Sequence, residues 1–136
     1  GEIEQLKGYT TVKREVTFGD SRFDIYCENK DEKCFVEVKN VSMKVGDYVL
    51  FPDAVTSRGR KHLETLIEVK KSGIRAVMLY IIQRGDVNKF GPAEDIDPDY
   101  TKSLRKAINN GVEVIAIQAK VSPDGINLSK ELEIEI

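Results

Sequence analysis

Four residues in the first third of the chain have types and spacing that could do chemistry: Glu15, Asp24, Glu37 and Lys39. The segments that hold them read TTVKREVTF, SRFDIYC and KCFVEVKNV. Their apolar and polar residues follow a period of two, which predicts three strands. Gly19-Asp20 predicts a tight turn between the first two strands, and ENKDE surrounds the second turn. A turn symmetric about Gly19-Asp20 pairs Phe18 with Ser21 and, counting back, Glu15 with Asp24. A turn symmetric about Lys30-Asp31 pairs Asn29 with Glu32 and, counting back, Asp24 with Glu37. Side chains alternate between faces, so Lys39 shares the face of Glu37. One face is thus expected to present Glu15, Asp24, Glu37 and Lys39. The other is expected to present Val16, Phe18, Phe23, Ile25, Cys27, Cys34, Val36 and Val38 as a core. The same register sets Cys27 opposite Cys34, which are expected to be reduced, packed thiols, with a cross-strand disulfide as the alternative if the pairing is the closer kind.

Directly opposed carboxylates repel, and folding alone gives no reason to line up three of them. A divalent cation does. Mg²⁺ prefers oxygen ligands and is commonly held by one or two carboxylates together with waters and substrate phosphates. A lysine beside such an ion orients a water or stabilises charge on a phosphate. The chemistry expected is metal-assisted hydrolysis of a phosphodiester, with Mg²⁺ or Mn²⁺ as the ion. Asp24 and Glu37 are the expected ligands, Glu15 supports a second ion or a water, and Lys39 acts at the scissile phosphate. An ordinary solvated sheet face is the simpler reading of an isolated E-V-K triplet. The acid on the preceding strand and the matching register weigh against it.

The elements that follow must support this row. SRGRKHLETLIEVKKSG carries Leu63, Leu66, Ile67 and Lys70 at helical spacing, and Gly73 fits a C-terminal cap. RAVMLYIIQ is a continuous apolar run, the pattern of a strand buried on both faces. Asp97-Pro98 predicts an N-cap and first helical residue, with Tyr100, Leu104, Ala107 and Ile108 on the apolar face and Asn110-Gly111 at the end. VEVIAIQAKV predicts a last long strand and INLSKELEIEI an extended tail. VSMKVGDYVLF reads as a loop with a short edge hairpin. The first residues, GEIEQLKGY, read as the end of a helix. Three meandering strands followed by helix, strand, helix, strand predict the α/β class, a mixed central sheet with helices on both faces.

Arg58, Arg60, Lys61 and His62 cluster near the start of the first helix. Cations there oppose the helix dipole, and a DNA phosphate would offset that cost. All four are candidate nucleic-acid contacts, against the alternative of a solvated basic turn. Arg84 in the RGD triplet is expected to form a salt bridge within its turn. The two cysteines lack zinc-ligand spacing, and there is no Walker loop or dinucleotide fingerprint.

The chain has 136 residues, 40% hydrophobic and 32% charged, the composition of one globular domain. No apolar run approaches the roughly 18 residues needed to span a membrane, and no signal peptide is seen, so a cytoplasmic location is expected. The net charge of −2 does not announce nucleic-acid binding but averages over a basic RGRKH and an acidic KELEIEI.

The pattern D-(x12)-E-x-K across a strand hairpin resembles the PD-(D/E)XK nuclease superfamily, which includes restriction endonucleases. The resemblance implies Asp24 and Glu37 as metal ligands and Lys39 as the catalytic lysine, although Phe23 rather than proline precedes Asp24. Longer strings, GDSRFD, CFVEVKNV, FPDAVTSRGRKHL, RAVMLYIIQRGDV and F-x-PAEDIDPDY, resemble the sugar fermentation stimulation protein family. That resemblance implies a restriction-endonuclease-like domain, here without the family's N-terminal OB-fold-like domain, and DNA as partner. It leaves two functions to weigh: a Mg²⁺-dependent nuclease, or a DNA-binding regulator of sugar-metabolism genes without catalysis. A homodimer stays open.

Overall fold

The computed structural model describes residues 6–123 and 125–136. Strands β1 (Thr11–Phe18), β2 (Ser21–Glu28) and β3 (Lys33–Val41) form the expected meander. Then come β4 (Met43–Val45), β5 (Tyr48–Phe51), α1 (Ser57–Lys71), β6 (Arg75–Ile82), β7 (Lys89–Pro92), α2 (Pro98–Asn109), β8 (Glu113–Ser122), β9 (Gly125–Glu131) and β10 (Glu133–Ile134). The main sheet has the order β1-β2-β3-β6-β8-β9. β1, β2 and β3 are antiparallel to their neighbours in the meander, whereas β3-β6 and β6-β8 are parallel. The mixed α/β sheet is the one expected.

A second sheet, β10-β7-β5-β4, departs from the expectation. The edge hairpin is present as β4 and β5, but it pairs with β7. The tail is not merely extended, since its backbone continues both sheets as β9 and β10. KFGP gave no strand signal because Gly and Pro are both depleted in strands. Its pairing comes instead from β5 on one side and β10 on the other.

The helices follow their caps. Thr56 caps α1 by accepting from the Gly59 amide at 2.9 Å, and Lys70 and Lys71 sit favourably in the last turn. Gly73 follows at φ 89°, a conformation open to glycine. Asp97 caps α2 through Oδ1, which accepts from Tyr100 N at 3.0 Å, and Pro98 opens the helix. The other oxygen of Asp97 accepts from the Thr56 amide at 2.9 Å, so one buried carboxylate joins both helix starts.

β6 is buried on both sides, as its apolar run predicts. Ala76, Met78, Tyr80 and Ile82 enter the larger core, which also holds Leu63 and Leu66 of α1 and Tyr100 and Leu104 of α2. Val77 and Leu79 enter a smaller core with Cys27, Cys34, Val36 and Ile115. Both described helices therefore cover one face. On the other, Leu6 and Tyr9 pack against the smaller core. The element expected on that face falls on residues 1–9, of which 1–5 lie outside the described residues.

The expected core face needs one correction. Ile25, Cys27, Cys34, Val36 and Val38 belong with the smaller core, but Val16, Phe18 and Phe23 pack with the larger one. Phe23 and Ile25 are two apart in a strand yet lie on opposite faces, so the alternation breaks at Asp24. Glu15, facing that break, has φ 52°, the left-handed region that side chains rarely adopt. An irregularity of this kind is what turn-symmetry counting cannot foresee.

Candidate functional site

The expected register is otherwise present. Phe18 pairs with Ser21, and Arg14 with Ile25 and Val16 with Phe23 bracket the Glu15/Asp24 position. Cys27 pairs with Cys34, and both thiols are free and buried. The β2-β3 ladder runs only as far as Ile25 and Val36. Beyond it the two strands part, and the Asp24 carboxylate accepts from the Val38 amide at 2.9 Å. A side chain thus replaces a backbone acceptor where the ladder ends.

Glu37 sits on the helix-covered side of β3, with its side chain only 3% exposed. Asp24 and Glu37 are within hydrogen-bonding reach of each other. Desolvation and then Glu37 push the Asp24 carboxyl above its ordinary value. Burial acts the same way on Glu37, but His62, Asp24 and Lys39 outweigh it and hold that carboxyl down to about 2. The pair therefore divides into one carboxyl that keeps a proton more readily and one that stays ionised.

Lys39 Nζ lies 3.6 Å from Glu37 Oε2. His62, on the second turn of α1, brings its Nδ1 into contact with the same oxygen. An ionised carboxylate accepts only, so Nδ1 must carry the proton. A protonated Nδ1 cannot accept from Lys39, although Nζ is 3.2 Å away. His62 therefore donates to Glu37 Oε2, and the Lys39 ammonium forms an ion pair with the same oxygen.

His62 was expected among exposed phosphate contacts, and the structure corrects this. It is 6% exposed and its ring lies 6.2 Å from that of Phe23. The signal was in the helix period, because His62 precedes Leu66 by four residues and so shares its inward face. Arg58, Arg60 and Lys61 do stand on the outer side. Arg58 is exposed, Arg60 pairs with Asp99 at 3.2 Å, and Lys61 pairs with Asp20 at 3.2 Å. Arg84 makes the expected turn bridge, with two 2.9 Å bonds to Asp86.

Glu15, expected to support a second ion or a water, stands at a position that the β1-β2 ladder skips, with its backbone left-handed. Among the described residues, no three His, Cys, Asp or Glu side chains are arranged to hold a metal ion between them. The pair of buried hydroxyls behind the site, Tyr80 and Tyr100 at 2.5 Å, was not anticipated. Both look like core residues in sequence.

Comparison with known proteins places these features. The family described as "Sugar fermentation stimulation protein RE domain" matches residues 1–125. A sugar fermentation stimulation protein homolog from Geotalea uraniireducens is 46% identical over all of this chain and 59% of its own length. One from Thermoanaerobacter pseudethanolicus is 45% identical over 98% of this chain and 58% of its own length. Pyrococcus furiosus SfsA, solved in complex with Ca²⁺, superposes with a TM-score of 0.89 at 34% identity, covering 97% of this chain and 58% of that one. The chain thus spans a little under three fifths of these relatives. No described helix is long and apolar enough to cross a membrane. By family match, identity and fold together, the chain belongs to the sugar fermentation stimulation protein family.

Proposed function

We propose that this domain binds DNA and hydrolyses its phosphodiester bonds with the help of a divalent cation. The observation that carries the reading is the Asp24–Glu37 pair, two carboxylates within hydrogen-bonding reach and flanked by Lys39. Their proximity raises the Asp24 carboxyl, and a cation shared by the two would relieve the repulsion. Two carboxylates, with water and phosphate to complete the shell, suit Mg²⁺ or Mn²⁺ rather than a four-ligand structural zinc site. The Ca²⁺ complex of the Pyrococcus furiosus relative supports a hard, oxygen-seeking ion.

When bound, the ion supplies Lewis-acid stabilisation of a phosphoryl oxygen and a more acidic water. Asp24 and Glu37 hold it. The Val38 amide fixes the Asp24 carboxylate through its 2.9 Å bond. Lys39, 18% exposed, offers an ammonium to the phosphate. Arg58, Arg60 and Lys61 contact the backbone phosphates, exchanging surface ion pairs that are individually weak.

The relatives' name favours a second reading, a DNA-binding regulator of sugar-metabolism genes without catalysis. One experiment separates the two. Single strands, duplexes and junctions are incubated with protein and Mg²⁺ or Mn²⁺, with Glu37→Ala and Lys39→Ala as controls. The nuclease reading expects cleavage that both substitutions abolish while DNA binding persists. Binding without cleavage of any substrate leaves the regulator.

A further inference from the structure

Resting on the cation site proposed above, we propose that His62 is its positioning residue: it fixes one oxygen of Glu37 and so leaves the other for the ion. The sequence suggested a phosphate contact for this histidine, but its burial and partners point inward.

The ring is held by its surroundings. His62 shares the buried side of α1 with Leu63 and Leu66 and packs against Phe23 of β2. Two further links tie the same stretch of helix to the β1-β2 turn. Lys61 pairs with Asp20, and Thr65 Oγ1 bonds Ser21 Oγ at 2.9 Å. A ring anchored in this way presents Nδ1–H in one direction, and the acceptor there is Glu37 Oε2. That commits one oxygen of Glu37 to the ring and leaves the other for an ion shared with Asp24.

Lys39 lies on the same oxygen, its Nζ 3.6 Å from Glu37 Oε2 and 3.2 Å from His62 Nδ1. The ring is held by its packing, whereas the ammonium ends a flexible four-carbon stem, so His62 rather than Lys39 sets the position of that oxygen. Among the described residues no three ligating side chains are gathered to hold an ion, and the ring acts on the ion through Glu37.

The test uses the chain itself with Mn²⁺ as probe in isothermal titration, and Ca²⁺ in parallel. Partners of metal ligands are typically worth about 10–100-fold in metal affinity. His62→Ala is expected to weaken Mn²⁺ binding by about tenfold or more on that scale. His62→Asn, whose amide N–H can occupy the place of Nδ1–H, is expected to stay within a few-fold of wild type. Thermal melts of each variant confirm that the protein is folded. The tautomer is read separately, without metal, from the ring nitrogens in a long-range ¹H–¹⁵N correlation spectrum, where Nδ1–H is expected.

An Nε2–H tautomer, wild-type affinity in His62→Ala, or no rescue by His62→Asn overturns the role of His62 while leaving the cation site standing. Failure of the wild-type chain to bind Mn²⁺ or Ca²⁺ overturns the site itself, and with it the inference.

Discussion

The amide of Val38 donates to the carboxylate of Asp24 where β2 and β3 part, so one side chain both ends a ladder and faces the site. These two duties can be separated. Asp24→Asn keeps an acceptor for Val38 and loses the charge, whereas Asp24→Ala loses both. Urea denaturation is expected to show Asp24→Asn near wild type and Asp24→Ala about 1 kcal/mol less stable, the usual scale for a lost hydrogen bond. Calorimetry is expected to show both unable to bind Mn²⁺. Equal destabilisation of the two variants would contradict the structural duty.

Glu37 gives acid sensitivity a defined source. Its folded value, about 2, lies below its ordinary 4.5. A depressed carboxyl stabilises the fold fully above its unfolded value, and that contribution fades as pH falls from about 4.5 towards about 2. Asp24, raised by desolvation and Glu37, works in the opposite sense, disfavouring the fold as pH climbs past its ordinary value. Glu37→Gln is expected to flatten the loss of stability in the lower window. Denaturation series from pH 5 to pH 2 check this, and an unaltered slope would rule Glu37 out as its source.

The cysteines should be slow to react. Cys34 has no exposed surface, and burial pushes its thiol up to about 12. Cys27 is 5% exposed and also raised by burial. Since the thiolate is the reacting form, iodoacetamide at neutral pH is expected to leave both intact in folded protein and modify both in denaturant. Mass spectrometry distinguishes the outcomes. Rapid labelling of Cys34 in the folded chain would contradict its placement.

Asp99 restrains the basic row by pairing with Arg60 at 3.2 Å. Asp99→Asn frees that guanidinium for a phosphate. DNA affinity is expected to rise, and the slope of log K against log salt to steepen by up to about one unit, as for one added phosphate contact. Fluorescence anisotropy over a salt series measures both. A lower affinity would show that Asp99 serves the surface rather than competing for it.

What was legible in sequence follows from what is local. Alternation, turn residues and caps are set within a few positions, so β1 to β3, both helices and the pairing of Cys27 with Cys34 could be read directly. Asp24, Glu37 and Lys39 came with them because a register fixes neighbours. The left-handed Glu15 could not be read, since no glycine or turn residue marks it in the sequence. KFGP could not either, because its strand is made by partners more than forty residues away in each direction. His62 was readable but misassigned. The local basic cluster masked a helical period that points it inward.

Asp97 has a consequence for how a polyanion would meet this surface. Its two oxygens hold the starts of both helices, so two positive dipole ends converge near Arg58 and Arg60. Like ends brought together repel, and the carboxylate between them serves as a resident counter-ion. It is 4% exposed, so an arriving phosphate would not displace it. The fold thereby neutralises its own repulsion from within and leaves the outer charges to the solvent side. Assembly of the helix pair and attraction of a ligand draw on different anions and need not compete.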